Sequence, residues 1–585
     1  MTAPASEAAA GAGSARPKAA GAWSWLVANQ PLVLLIALCV VMLASSAAAI
    51  VVHRRDGAMN IDEAGYLSMS VTDYSALRTG GPAQLIRAVL SQPTQAPLVP
   101  LLSSLVYAGA GRPSVVGAYA VQLLALLLLI VTAYAMGATL AGRWAGLVAA
   151  LAVSALPIVL NYVRDYMFAL PAAAAAMVAL WAALRSDLLQ RKWFAVIWGV
   201  ALGAMVLSRT MTIAFLPGFA LVAALQLAAS PRRRRSLAGL ACGLAAGVAV
   251  AGPWYVAQGR SVWAYLTSFG YGAASAGYGA DRSVFSPESW LISTRDNLNN
   301  YVWLPLALVL VGGLVALVTL VVRELRRKPR PRLRAAATSP WLYLVVVTVT
   351  GLVAMQSSRN NGSGFAAPIL PPLTVLAVAA VARSLRGHKV AGVVALGAVA
   401  LLCLPSLVVK TGVDTDSGQP VTLAVPGVAR LVVIDARSDY LLYTSMLPRA
   451  SRDDPDGDVW RTANDSLRAA LDRIGASTAG RPVLLSFDHR MVNSNTLQWD
   501  ELMTHGASPP IGLLAPSSDG AAGYSHQFDT TLPDGGTVLV CSDPASMFEP
   551  VLDQAEVRAG LSASGFALAR TVTLPDGAAV EIWTR

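Results

Sequence analysis

The chain has 585 residues, 55% of them hydrophobic and 13% charged, with a net charge of +11 and a mean hydropathy of +0.55. Several apolar runs reach the roughly 20 residues that a spanning helix needs, which excludes an ordinary water-soluble globular protein. Nucleic acid is excluded as a partner too: the dense arginine clusters lie between apolar runs, where they orient helices, and no basic face carries interleaved aromatics. Among the four cysteines, Cys39, Cys242 and Cys403 fall in apolar runs and Cys541 in the polar tail; there is no CxxC pattern and no disulfide framework.

Residues 1–30 begin Ala/Gly/Ser-rich and are expected to be a disordered cytoplasmic leader. Residues 31–410 are expected to hold about eleven spanning helices, near 32–52, 115–140, 144–163, 166–184, 194–209, 210–230, 236–256, 300–322, 340–357, 365–383 and 389–410. Backbone groups in lipid must bond within their own segment, so these runs are helices. The basic connections at Arg185–Lys192, Arg232–Arg235, Arg323–Arg334 and Arg383–Lys389 are expected inside. By parity, the loops 53–114 and 257–298 then lie outside, although Arg54 and Arg55 run against the positive-inside rule. The apolar stretch Pro97–Gly109 is short and holds Pro97 and Pro100; it is expected to lie along the outer interface. The second outer loop carries two Gly-Tyr-Gly repeats, at 270–272 and 277–279, which suit either a connector or a gate.

From about residue 411 the composition changes. Strand-like runs at 429–434, 482–487 and 537–541, helix-like runs at 464–474 and 546–561, and a hairpin over 567–584 turning at Pro575-Asp576-Gly577 predict an extracytoplasmic α/β domain, residues 411–585. The whole is therefore read as a multi-pass cell-membrane protein with a soluble C-terminal domain.

Chemistry is sought first at Asp62-Glu63, which follow the first span in the polar stretch RDGAMNIDEAGY, residues 55–66. Two readings stand on residue types alone. The pair can serve as a base on an incoming hydroxyl, or it can be a solvated pair opening an interfacial helix capped by Asn60. Either way it is expected to be exposed. Arg164, Arg209 and Arg359 fall at outer helix ends. Charges near membrane depth are costly and usually have a partner or a function. A set of guanidinium groups suits a lipid-linked phosphate; snorkelling, or pairing such as Arg164 with Asp165, is the plainer reading.

An acidic pair soon after the first span resembles the signature of the GT-C glycosyltransferases, in the branch of protein O-mannosyltransferases and lipid A aminoarabinose transferases. Three further blocks are similar to that branch: Arg164-Asp165-Tyr166 heading a helix, the run from Gly199 through Gly203 and Leu207 to Arg209, and Gly252-Pro253-Trp254-Tyr255. The late block departs from it. Residues 361–372 read NGSGFAAPILPP where the family carries an aromatic-rich turn, which leaves the role of Arg359 open.

The resemblance implies a transferase that takes a sugar from a polyprenyl-phosphate carrier and gives it to a glycan, lipid or protein hydroxyl at the outer membrane face, by one inverting displacement. Asp62 would be the base, Glu63 would orient it or the acceptor, and Arg164, Arg209 and Arg359 would hold the donor phosphate. Relatives differ in whether a divalent metal assists, and this sequence shows no metal-binding cluster. A lipid or solute transporter is the alternative; it would more often show repeated halves.

Overall fold

The computed structural model describes residues 29–55, 59–272, 275, 283–284, 286–326, 337–360, 364–411, 420–425, 429–435, 457–475, 480–489, 491–542 and 551–585. Most of the leader, Asp56–Ala58, the second Gly-Tyr-Gly repeat, part of the basic run after Arg326 and Asn361–Ser363 fall outside these residues.

The first helix, α1 (Gln30–Ala49), continues through a π-helical turn, Ile50–Arg54. The stretch read as a polar loop is instead mostly helical. α2 (Ile61–Ser91) starts where Asn60 Oδ1 accepts the Glu63 amide at 2.9 Å, and it carries Asp62 and Glu63 in its first turn, where carboxylates favour the positive helix end. It kinks at Gly81 (φ +66°) before Pro82. α3 (Leu98–Ala110) is 13 residues long, a rise of about 20 Å. That is too short for a hydrocarbon core of about 30 Å.

The bundle continues with α4 (Ala120–Ala141), α5 (Arg143–Ser154), α6 (Pro157–Tyr162), α7 (Ala169–Arg185), α8 (Lys192–Ser208), α9 (Leu216–Ala229), α10 (Arg233–Tyr271), α11 (Pro287–Asn297), α12 (Trp303–Arg326), α13 (Pro340–Gln356), α14 (Leu370–Ser384) and α15 (Lys389–Thr411). Among the described residues, six runs are long and apolar enough to cross a membrane and six further helices are shorter and apolar. The chain is a multi-pass membrane protein. The expected span 144–163 breaks at Leu156-Pro157 into α5 and α6, because proline cannot donate inside a helix. The stretch expected as a second loop is largely helical, since α10 runs to Tyr271 and α11 opens at Pro287.

α8 and α10 approach unusually closely. A Cβ at Gly199 would lie 1.8 Å from the Gly243 carbonyl oxygen, and one at Gly203 would lie 2.9 Å from that of Gly247. The glycines of the sequence block ending at Arg209 therefore serve packing, by admitting a second helix backbone.

Beyond α15, β1 (Val421–Val425) and β2 (Ala429–Ile434) form a hairpin, tied to the bundle where Asn299 bonds the Arg430 carbonyl at 3.1 Å and the Val432 amide at 3.0 Å. α16 (Gly457–Arg473), β3 (Val483–Leu485), α17 (Ser494–His505), β4 (Ile511–Leu513), α18 (Gly520–Thr531), β5 (Thr537–Cys541), α19 (Gln554–Ala563), β6 (Ala567–Thr573) and β7 (Ala579–Thr584) build one sheet with helices on both faces. Its strand order is β4-β3-β5-β7-β6, with β3 parallel to both β4 and β5 and β7 antiparallel to its neighbours. Alternation sorts the core: Leu485, Leu539 and Ile582 meet α16, while Leu484, Val538 and Val540 meet α18 and α19.

Candidate active site

The acid pair divides. Glu63 is fully buried and Asp62 half-buried, which corrects the expectation of an exposed pair. Glu63 accepts from the Tyr119 hydroxyl and, at 3.3 Å, from the Tyr166 amide; its other oxygen lies 3.7 Å from Arg54 NH1 and 3.5 Å from Asn60 Nδ2. Asn60 also donates to Asp165 Oδ1 at 3.4 Å. Glu63 is therefore immobilised. The preceding side chain, Asp62, stays half-buried.

Arg54 is one of the two cations that run against the expected positive-inside pattern. It is buried, with 3% exposure, because the π-helical turn delivers it inward as the counter-ion of Glu63, and its Nε donates to the Arg164 carbonyl at 2.9 Å. Arg55 stays exposed. Arg164 and Asp165 are buried in the same cluster, and the Tyr119 hydroxyl reaches the Arg164 carbonyl at 3.3 Å.

Arg209 sits where α8 ends and a 3₁₀ turn begins, in extended conformation (φ −150°). Its guanidinium lies 4.5 Å from the ring centre of Phe168 and 4.7 Å from that of Phe365, and its NH1 is buried with no hydrogen-bond partner. Phe365 follows Gly364, which has φ +74°, donates its amide to the Tyr301 hydroxyl at 3.0 Å and packs against Tyr162 too closely for any Cβ. The departing block at 361–372 thus supplies a ring to Arg209. Phe168 touches Tyr66 edge-on at 5.2 Å. The Tyr66 hydroxyl is held well above its usual range, by burial first and then by the charge of Asp62, while Arg209 pulls it down. Phe168 thus joins Tyr66 to the Arg209 guanidinium through two ring contacts.

Arg359 differs from this group in its exposure. It is exposed, and its backbone amide donates to the Gly270 carbonyl at 3.1 Å. What sequence reasoning missed is Tyr119, the way Arg54, Asn60 and Tyr166 close around Glu63, and the phenyl rings on Arg209. The sequence signals were Asn60 as a helix cap, Tyr166 in its Arg-Asp-Tyr block and Arg54 as a cation against the expected orientation; Tyr119 left none.

A cluster suited to a cation lies elsewhere. Asp472, Glu501 and His505 converge in the C-terminal domain, with His505 Nε2 3.2 Å from Asp472 Oδ1 and 3.9 Å from Glu501 Oε2. Around Asp62 the described residues gather no such set of three.

Residues 93–255 match the family model of dolichyl-phosphate-mannose-protein mannosyltransferase. The fold is similar to that of ArnT from Cupriavidus metallidurans bound to undecaprenyl phosphate, at 15% identity over 95% of this chain and 98% of that one, with a TM-score of 0.52. It is also similar to the apo oligosaccharyltransferase of Archaeoglobus fulgidus, at 11% identity over 88% of this chain and 70% of that one, with a TM-score of 0.50. Among curated protein sequences nothing matches. The family-model and structural matches bear out the resemblance read from the sequence.

Proposed function

We propose that this chain, a multi-pass membrane protein of the GT-C glycosyltransferase class, moves a sugar from a polyprenyl-phosphate carrier to an acceptor hydroxyl at the outer face of the membrane. The observation that carries this reading is the division of labour between Asp62 and Glu63. A locked carboxylate, Glu63, holds the first turn of α2 while its neighbour Asp62 stays half-exposed, and a buried guanidinium, Arg209, is clamped between two phenyl rings.

The chemistry follows from that arrangement. Asp62 takes the proton of the acceptor hydroxyl as its oxygen attacks the anomeric carbon. The bond from that carbon to the phosphate oxygen breaks, and the polyprenyl phosphate leaves with the electron pair. Charge grows on the leaving phosphate, so a fixed cation lowers the barrier most there. Arg209 suits that role, because two aromatic faces orient it while NH1 keeps an unused donor. Arg164 supports the cluster from within. Glu63 is a positioning residue. One displacement inverts the anomeric centre. The ArnT structure holds undecaprenyl phosphate, and a lipid phosphate of that kind is the donor headgroup proposed here. No feature among the described residues favours the transporter reading.

The test uses purified protein, radiolabelled mannosyl and arabinosyl polyprenyl phosphates, and membranes from a strain lacking the protein as acceptor source. Label should pass into a membrane glycan, lipid or protein fraction with wild-type protein and not with Asp62→Asn. Failure of both donors to bind or transfer would count against the reading.

A further inference from the structure

The C-terminal domain meets the start of the helix that carries the acid pair through α17. In the sheet, β3 is flanked by β4 on one side and β5 on the other, both parallel to it. The chain leaves β3 through α17 to reach β4, then crosses through α18 to β5. The carboxyl end of β3 is therefore a topological switch point, the position in open parallel sheets where a crevice forms and ligands bind.

The described residues leaving that end are held by side-chain bonds. Ser486 is bonded to Gln554, whose Nε2 returns 3.1 Å to the Ser486 carbonyl. The His489 ring stacks on Trp460 at 5.2 Å; its Nε2 lies 3.0 Å from Asp576 Oδ2, and its Nδ1 accepts the Met491 amide at 3.2 Å. Asn493 caps α17, and Asn495 Nδ2 donates to the carbonyl of Ile61 at 2.9 Å. Ile61 directly precedes Asp62.

Between these anchors stands Asp488. It is 7% exposed, and its Oδ1 is buried without a hydrogen-bond partner. A buried acceptor left unbonded is costly unless a ligand completes it. Burial raises the Asp488 carboxyl to about 6, the charge of Asp62 adds to that, and His489 opposes it; the Asn495 bond to the Ile61 carbonyl brings the segment that carries Asp488 to the first turn of α2, where Asp62 sits.

We propose that Asp488 is the acceptor-positioning group of the transfer site, its Oδ1 accepting a hydrogen bond from a second hydroxyl of a neutral, polyhydroxylated acceptor while Asp62 takes the proton of the first. The lipid carrier reaches Arg209 from the membrane side, and the acceptor enters between α2 and the C-terminal domain. Two carboxylates facing one cleft repel an anionic acceptor and favour a sugar-like one. This inference rests on the reading of Asp62 as the base.

Three quantities are measured on wild type, Asp488→Ala and Asp488→Glu: binding of undecaprenyl phosphate, transfer of label from the polyprenyl-phosphate sugars to membranes, and release of the same label to water. Losing one bond to a charged acceptor should cut transfer by roughly ten- to a hundredfold in the alanine variant. Lipid binding and release to water should stay at wild-type levels, because water needs no second contact, and Glu should recover part of the loss. Wild-type transfer in the alanine variant would overturn the proposal. So would a parallel fall of all three quantities together with melting temperature, which marks a purely structural residue. Absence of transfer by wild type itself would instead remove the transferase reading on which it stands.

Discussion

Asp62 and Glu63 are chemically alike and adjacent, yet burial assigns them opposite roles. Replacing Asp62 by Asn should leave folding intact and lower transfer by about 10²–10⁴-fold, the usual weight of a general base. Glu63→Gln should behave differently from what an exposed pair would allow. It strips the buried Arg54 of its counter-ion, and breaking such a pair typically costs about 3–5 kcal/mol. A large fall in melting temperature with residual activity in the surviving protein is the expected result; an unchanged melting curve would remove Glu63 from the frame. For Arg209, alanine should weaken undecaprenyl phosphate binding by roughly ten- to a hundredfold, and lysine should restore part of it by keeping charge without the planar fork. Arg359→Ala should bind the lipid normally, since its side chain is exposed. The acid pair is legible in the sequence because its two members are neighbours after a long apolar run. The Phe365–Arg209 and Tyr119–Glu63 contacts join residues far apart in the chain, and no local periodicity encodes such pairs.

At the scale of elements, apolar length is the strongest sequence signal, and each of the expected spans coincides with a helix or helix pair. What length cannot report is where a polar stretch folds against its neighbours. α2 reads as polar loop by composition, yet it becomes a helix because Asn60 caps it and because Tyr66, Leu67 and Val71 pack onto Tyr107, Tyr119 and Tyr166. The α8–α10 contact is equally indirect, since only the partner backbone explains its glycines. Gly199→Val should abolish that contact and lower the yield of folded protein, and Gly312→Ala, where nothing lies within 4 Å, should not. Equal yields from both variants would contradict the close approach.

Two buried carboxylates in these elements set a pH dependence. Asp73 in α2 is raised to about 7 by burial, against a hydrogen bond from Gln92 that lowers it. Asp500 in α17 is raised to about 7 by burial and the charge of Asp465, with Arg468 opposing and Glu501 adding. Both folded values exceed the unfolded one, so between about pH 4 and 7 the folded state holds protons that the unfolded state has released. Stability therefore falls as pH rises through that window. Thermal melting should occur at a higher temperature near pH 5 than near pH 7.5, and the double change Asp73→Asn with Asp500→Asn should shrink the difference, with Asp488, raised to about 6, left to contribute in the same direction. A melting temperature that rises with pH across this range would contradict the assignment.

At the scale of the molecule, the C-terminal domain sits on the helix that carries the acid pair, through Asn495 on the Ile61 carbonyl and Trp499 in the same apolar cluster as Met59 and Ala64. If the acid pair works at the outer face, this domain is outside too. Cys541 is buried in β5, so it should resist labelling until the protein unfolds, whereas a cysteine placed at exposed Ser518 should react with a membrane-impermeant maleimide on intact cells. Reaction of Ser518→Cys only after lysis would reverse the orientation. The central claim, that Asp62 deprotonates an acceptor while Arg209 holds a lipid phosphate, is tested most directly by single-turnover transfer from a radiolabelled polyprenyl-phosphate sugar, followed alongside undecaprenyl phosphate binding on the same purified Asp62→Asn protein. The account predicts wild-type lipid affinity with transfer lowered at least about a hundredfold. Transfer at the wild-type rate in Asp62→Asn would contradict it.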